Sequence, residues 1–124
     1  MLLLAIVFID YDNAKDEGFP FIHWLVSNIP ARERELPENA SRLSPCFHQG
    51  HNSWCIPFGL YAEIPEEYSN YFGGPSPNYE HEYEVWLYAL DYMPGLENGF
   101  YYNDLRRAMK NHVLEKAVLC GNYG

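Results

Sequence analysis

The chain has 124 residues, of which 48% are hydrophobic and 17% aromatic, and its formal net charge is -9. This length predicts a single domain, residues 1–124, with enough apolar side chains for a packed core. The acidic balance argues against a nucleic-acid partner, because phosphate backbones attract basic surfaces.

The cysteines and the apolar start of the chain together predict a cytoplasmic protein. Cys46, Cys55 and Cys120 are an odd number, which is typical of reduced thiols rather than of a disulfide framework. The opening run MLLLAIVFI has no basic residue before it and reaches Asp10 without a small-residue cleavage site, so it does not match a signal peptide. It is also too short to span a bilayer, so we expect a buried strand and no membrane insertion.

Apolar runs separated by polar loops predict a mostly β fold with added helices. The continuous apolar run Leu2–Ile9 is typical of a central strand that is covered on both faces. Leu105, Met109 and Val113 recur at fourfold spacing, which indicates a helix with one apolar face. The predicted elements in chain order are a strand at Leu2–Ile9, a polar loop at Asp10–Pro20, a strand at Phe21–Ile29, an irregular stretch at Pro30–Pro57, a short helix near Pro65–Asn70, a strand at Tyr83–Leu90, a helix from the cap Asn103 to about Lys116, and a short strand at Ala117–Tyr123.

Two acidic residues and a histidine are the first candidates for a functional site. Asp10 and Asp12 follow the first predicted strand two positions apart, so both carboxylates face the same side of an extended chain. Acidic residues after a strand more often form a solvated turn. His23 lies in a strand that is apolar on both faces, where a histidine is more often a core residue but needs partners for both ring nitrogens. Asp10 or Asp12 is a candidate for one of those partners.

The stretch YFGGPSPNYEHEY, residues 71–83, is the next candidate. Its glycines allow a ligand to approach the bare backbone, and its prolines fix the backbone geometry. His81 and Tyr83 follow two positions apart and therefore face the same side of the chain. The stretch is either a rigid hairpin entrance or a rim that holds an anion against backbone and imidazole.

A metal site is the rival interpretation of a different segment. CFHQGHNSWC contains Cys46, His48, His51 and Cys55, which are ligand types that zinc prefers. Their spacing, C-x-H-x2-H-x3-C, matches none of the common structural zinc patterns, so no metal is expected. The sequence also lacks GxxxxGK[ST], GxGxxG and GxSxG, and no cofactor is predicted.

Several segments, taken in order, resemble one known family. They are LAIVFIDYDNA, FIHWLVSNIP, LPENAS, HQGHNSW and YFGGPSPNYEHEYEVWLYALD. Their order and spacing are similar to those of the phosphatidylethanolamine-binding protein family, above all its bacterial YbhB/YbcL group, often called Raf-kinase-inhibitor-like. The resemblance covers nearly the whole chain. It implies a β-sandwich built around a large central sheet, with peripheral helices and a C-terminal helix.

The resemblance also implies a small pocket that binds phosphate-like anions. The residues that match the family's pocket motifs are Asp10, Asp12, His23, Gly74, Pro75, His81 and Tyr83. Tyr11 and Ala14 stand where the family has prolines. Family members carry further N-terminal strands before this segment, so we expect a shortened sheet, and an uncovered edge or apolar face of that sheet would favour a homodimer.

Three functional hypotheses follow from these residues and from the resemblance. The first is a non-enzymatic module that binds phosphorylated small molecules or headgroups. The second is a regulator of a protein partner, such as a kinase or a protease. The third is a small hydrolase that uses an Asp–His pair in the same pocket as a base, although no nucleophile is evident.

Overall fold

The computed structural model describes residues 3–33, 35–43, 46–55 and 64–124, so parts of the predicted irregular stretch Pro30–Pro57 lie outside the described residues. The elements in chain order are β1 (Leu3–Asp10), α1 (Asn13–Glu17), β2 (Phe21–Pro30), β3 (His48–Gln49), 3-10 turns at Ser53–Cys55 and Glu66–Asn70, β4 (His81–Leu90), α2 (Tyr102–Met109) and β5 (Val113–Tyr123). The predicted class, mostly β with a few helices, is confirmed.

The five strands form one antiparallel sheet in the order β3-β2-β1-β4-β5. The apolar run of β1 lies at the centre, as its lack of alternation predicts, because side chains on both of its faces are buried. At the end of β1, Asp10 is opposite Phe21 of β2 and Tyr83 of β4. This register gathers the predicted site residues where the central strand β1 ends and its two neighbours begin.

Each face of the sheet carries its own hydrophobic cluster. On one face, Leu105 and Met109 of α2 pack with Val7, Leu25 and Leu90 of the strands. The cluster on the other face consists of Ile6, Val26, Ile29, Ala40 and Phe47. Burying each large aliphatic side chain of this kind contributes about 1.5–3 kcal/mol. The two clusters therefore hold β1 and β2 in place beneath the strand end at which Asp10 lies.

The helix α2 is shorter than the sequence predicted. It begins at Tyr102 after the cap residue Tyr101 and ends at Met109, whereas the prediction was a helix from the cap Asn103 to about Lys116. The backbone leaves the helical conformation at Lys110, whose ψ is 123°, and Asn111 follows in a left-handed conformation with φ of 68°. The helical spacing of Val113 was therefore misleading, because this residue begins β5 and pairs with β4.

The strand β5 forms one edge of the sheet, and side chains along its whole length are exposed. Leu119 is 72% exposed and Leu114 is 59% exposed.

In the described part of the chain, no helix combines the length and apolar character that crossing a bilayer requires. The three cysteines, Cys46, Cys55 and Cys120, are free thiols.

Candidate functional site

A cavity of about 430 Å³ opens at the end of the sheet where β1 ends and β2 and β4 begin. Strands supply its floor, α1 supplies one wall, and the loop that precedes β4 supplies another. Its lining residues are Asp10, Asn13, Asp16, Glu17, Phe21, His23, Trp54, Gly74, Ser76, Pro77, Asn78, His81 and Tyr83. The cavity therefore combines two buried imidazoles with several carboxylates.

Asp10 and His81 form a buried pair in this cavity. Nδ1 of His81 donates to Oδ2 of Asp10 at 2.6 Å, and the two side chains are 3% and 5% exposed. The hydrogen bond to Asp10 raises the pKa of His81 above its usual value of 6.5, while burial opposes this effect. The second oxygen of Asp10, Oδ1, is buried and makes no hydrogen bond within the described residues. The pair therefore favours a protonated imidazole and leaves one acceptor unsatisfied.

His23 is the second buried imidazole, and its environment has the opposite effect. Its Nδ1 donates to the carbonyl oxygen of Gly73 at 2.6 Å. Burial among aromatic rings is the main reason that the pKa of His23 falls below 6.5. In the neutral form, the proton on Nδ1 leaves Nε2 as an acceptor, and Nε2 is buried without a hydrogen bond in the described structure.

Tyr83 lies between the two imidazoles. Its ring centroid is 5.5 Å from that of His23 and 6.2 Å from that of His81. Burial, with a further contribution from the charge of Asp10, raises the pKa of Tyr83 to about 12. The phenol therefore stays neutral at physiological pH, and its hydroxyl can donate a hydrogen bond.

The loop before β4 is held in place by hydrogen bonds to β2 and to the loops beside it. Gly73 donates its amide to the carbonyl oxygen of His23 at 2.8 Å while its own carbonyl accepts from the His23 ring. The Asn52 side chain donates to the carbonyl oxygens of Tyr68 and Tyr71. A Cβ at Gly73 would lie 3.1 Å from Nδ2 of Asn52, so glycine suits this close approach. This anchoring positions Gly74 at the cavity wall.

The structure brings together five of the seven sequence-predicted residues. Asp10, His23, Gly74, His81 and Tyr83 all line the cavity.

Two predicted residues do not line this cavity. The Asp12 side chain is exposed and accepts the backbone amide of Glu82 at 2.8 Å, so it ties the start of α1 to β4. Pro75 lies instead in a neighbouring apolar hollow of about 330 Å³, together with Phe8 and Leu119. The alternation of side chains that suggested Asp12 does not apply, because the chain leaves the extended conformation after Asp10.

Sequence reasoning missed the contribution of α1, because residues 10–20 were predicted as a loop. Asn13, Asp16 and Glu17 of this helix line the cavity, and Asp16 approaches Nε2 of His81 to 3.3 Å. The helix ends at Gly18, whose φ of 87° is typical of a glycine that terminates a helix. That glycine, preceded by a run of residues without proline, was the available signal for a short helix.

The two histidines of the alternative zinc motif have separate surroundings. Nδ1 of His51 lies 2.7 Å from Oγ of Ser69, and its ring stacks on Tyr101. The ring of His48 donates from Nδ1 to the carbonyl oxygen of Leu96. Within the described residues, the group with metal-like proximity is Glu82, Glu84 and Cys120 on the surface of β4 and β5, and it includes none of the four residues of that motif.

Comparison with known proteins identifies the family of the chain. Residues 3–124 match the family model described as phosphatidylethanolamine-binding protein. The chain is 41% identical to the Bacillus subtilis protein YxkA over 94% of its own length and 69% of that protein. A protein of Methanothermobacter thermautotrophicus, named UPF0098 protein, is 36% identical over 82% of this chain and 61% of its own length.

Solved structures agree with this assignment. A Chlamydia trachomatis protein described as a putative phosphatidylethanolamine-binding protein homolog, CT736, superposes with a TM-score of 0.72 and 26% identity, over 98% of this chain and 71% of that one. Escherichia coli YbcL, described as a new member of the mammalian family, shares the fold with a TM-score of 0.70 and 21% identity, over 98% of this chain and 70% of that one. The predicted resemblance is therefore confirmed, and the chain belongs to the phosphatidylethanolamine-binding protein family.

Proposed function

We propose that the chain is a binding module for a phosphate-like anion, which it holds in the cavity next to His81 without converting it. The observation that carries this proposal is the buried Asp10–His81 pair. Asp10 accepts a hydrogen bond from Nδ1 of His81 and so favours the protonated imidazole. A protonated imidazole can then donate a charge-assisted hydrogen bond from Nε2 to an anionic oxygen.

The unsatisfied acceptors of the cavity indicate which ionic form of the ligand would bind best. Oδ1 of Asp10 and Nε2 of neutral His23 both need a donor, and a buried acceptor without one costs about 1–3 kcal/mol. A monoanionic phosphate group offers charged oxygens to His81 and one hydroxyl that can satisfy either acceptor. A phosphorylated small molecule or headgroup in its monoanionic form therefore suits the cavity better than a fully ionised oxyanion of the same shape.

The two histidines allow a direct test by NMR. Histidine ring resonances are followed while phosphate is added to millimolar concentration at about pH 6, with sulfate as the oxyanion without a hydroxyl and chloride as the ionic-strength control. We expect saturable shifts of His23 and His81, and tighter binding of phosphate than of sulfate. The three other histidines, His48, His51 and His112, are internal controls and lie outside the cavity lining. Unchanged His23 and His81 resonances, or equal shifts of all five, would overturn the proposal.

A second candidate is a small hydrolase. The short Asp10–His81 hydrogen bond is the arrangement in which an aspartate orients a histidine base, and Ser76 lines the same cavity. Turnover of p-nitrophenyl phosphate or acetate that disappears in His81→Asn would favour this candidate. The absence of turnover, together with saturable phosphate binding, would favour the binding module.

The resemblance also predicts a protein partner, such as a kinase, and a homodimer. Both stay predictions. The exposed edge strand β5 is the surface of the described fold that is open to backbone pairing with another chain.

A further inference from the structure

The second ring nitrogen of His81 has a neighbour that belongs to the protein itself. Nε2 of His81 lies 3.3 Å from Oδ2 of Asp16, while Nδ1 is bound to Asp10 at 2.6 Å. Because Asp10 engages Nδ1, the imidazole can bind a ligand only through Nε2, which is buried without a hydrogen bond in the described structure. The carboxylate of Asp16 therefore occupies the position at which an anionic oxygen would have to bind.

The two carboxylates do not hold the imidazole equally. Asp10 makes a short hydrogen bond with Nδ1 of His81. The Asp16 carboxylate lies within ion-pair distance of Nε2 but does not have hydrogen-bond geometry, so Nε2 is buried without a hydrogen bond in the described structure. Charge-assisted N–H···O bonds are usually about 2.7–2.9 Å long, and the Asp16 contact is longer than that. Asp16 is also more exposed, at 28% of its side chain against 5% for Asp10. Of the two contacts, that of Asp16 is the one that can break at low cost.

The element that carries Asp16 is small. The helix α1 has only five residues, and a helix of this length gains little stability from its own hydrogen bonds. Tyr79 lies beside this contact: its ring packs against His81 with centroids 4.4 Å apart, and Tyr79 is itself 39% exposed. Because the Asp16 side chain is already 28% exposed, its carboxylate can turn to solvent when it leaves His81.

We propose that Asp16 is an internal competitor for the anion site, whose carboxylate takes the place of a ligand oxygen at Nε2 of His81 and must turn away before a phosphate group binds. This inference rests on the proposed function. Because the ligand pays for displacing Asp16, the observed affinity is the intrinsic affinity multiplied by the fraction of molecules in which Nε2 is free.

The test compares two charge-neutralising variants, one at the cavity and one outside its lining. Asp16→Asn removes the competing charge, and we expect it to tighten phosphate binding by about tenfold, the scale on which one unit charge a few ångströms away acts in a partly exposed site. Glu80→Gln removes the same charge from an exposed residue that precedes His81 in the chain and does not line the cavity. We expect it to change the affinity by less than about threefold.

Calorimetric titration of wild type and both variants with inorganic phosphate distinguishes the outcomes, and the 15N shift of His81 Nε2 before titration gives a second readout. A selective gain in Asp16→Asn, with an altered Nε2 shift, supports the competitor. Equal affinity of wild type and Asp16→Asn, or equal gains in both variants, overturns it while leaving the proposed function intact. If neither wild type nor either variant binds phosphate, the proposed function itself fails and the competitor with it.

Discussion

The buried Asp10–His81 pair predicts a loss of stability that depends on pH. At about pH 5.5, His81 is protonated, and Asp10→Asn replaces a hydrogen bond between two charged groups with one that has a neutral acceptor. A hydrogen bond to a charged partner contributes about 1.5–3 kcal/mol, whereas a bond between neutral groups contributes about 0.5–1.5 kcal/mol. We therefore expect Asp10→Asn to lower the free energy of unfolding by about 1–2 kcal/mol in acid.

The effect should shrink as the pH rises. Because the pKa of His81 is raised above 6.5 in the folded protein, its contribution is fully present below pH 6.5 and is lost as the pH passes through the folded pKa. Urea unfolding followed by tryptophan fluorescence at about pH 5.5 and 9.5 measures both values. With a slope of about 2 kcal/mol per molar urea, a loss of about 1–2 kcal/mol moves the midpoint by roughly 0.5–1 M.

The chain offers a matched control on its surface. Nδ1 of His112 donates to Oδ1 of Asp91 at 2.7 Å, almost the same distance, but both side chains are 42% exposed. Asp91→Asn should change the free energy of unfolding by less than about 1 kcal/mol, because solvent screens an exposed pair. The reasoning is refuted if Asp91→Asn costs as much as Asp10→Asn, or if the Asp10→Asn loss is the same at both pH values.

Three further outcomes are expected. Burial lowers the pKa of His23 below 6.5, so in acid the unfolded chain binds this proton at a higher pH than the folded protein does. The free energy of unfolding should therefore fall as the pH drops below 6.5. His23→Gln should reduce this fall in a plot of urea midpoint against pH. Leu105→Ala should cost about 2–5 kcal/mol in the same urea assay, because the fully buried side chain leaves a cavity under α2; a loss under 1 kcal/mol would contradict the packing. Gly50→Ala should lower the melting temperature, because the added Cβ would lie 2.6 Å from Phe100, whereas Gly74→Ala meets nothing within 4 Å and should melt like wild type; equal melting of the two variants would contradict this.

The strands were predictable from sequence because burial imposes a simple pattern on them. The run predicted as Leu2–Ile9 corresponds to β1 at Leu3–Asp10, and Phe21–Ile29 corresponds to β2 at Phe21–Pro30. Long-range pairing decided what local pattern could not. Val113 pairs with β4 despite its helical spacing, and the asparagine at 111, a residue type that often adopts the left-handed conformation after a helix, was the available signal that the helix ends before Val113.

The candidate site was predicted in its strands and missed in its helix. Asp10, His23 and His81 lie on paired strands, so the register that brings them together follows from the fold. The position of Asp16 was not predictable in this way, because its approach to His81 depends on how a five-residue helix turns back over the end of β1. No periodicity predicts that path, and the acidic character of the cavity mouth is visible only in three dimensions.

The most direct test of the anion-binding proposal is a crystal structure of the protein grown with phosphate at about pH 6. The proposal predicts a phosphate oxygen within about 3 Å of Nε2 of His81, a second contact at His23 or Asp10, and the Asp16 carboxylate turned away. A structure in which phosphate is bound elsewhere, or not at all, and Asp16 still contacts His81 would contradict it.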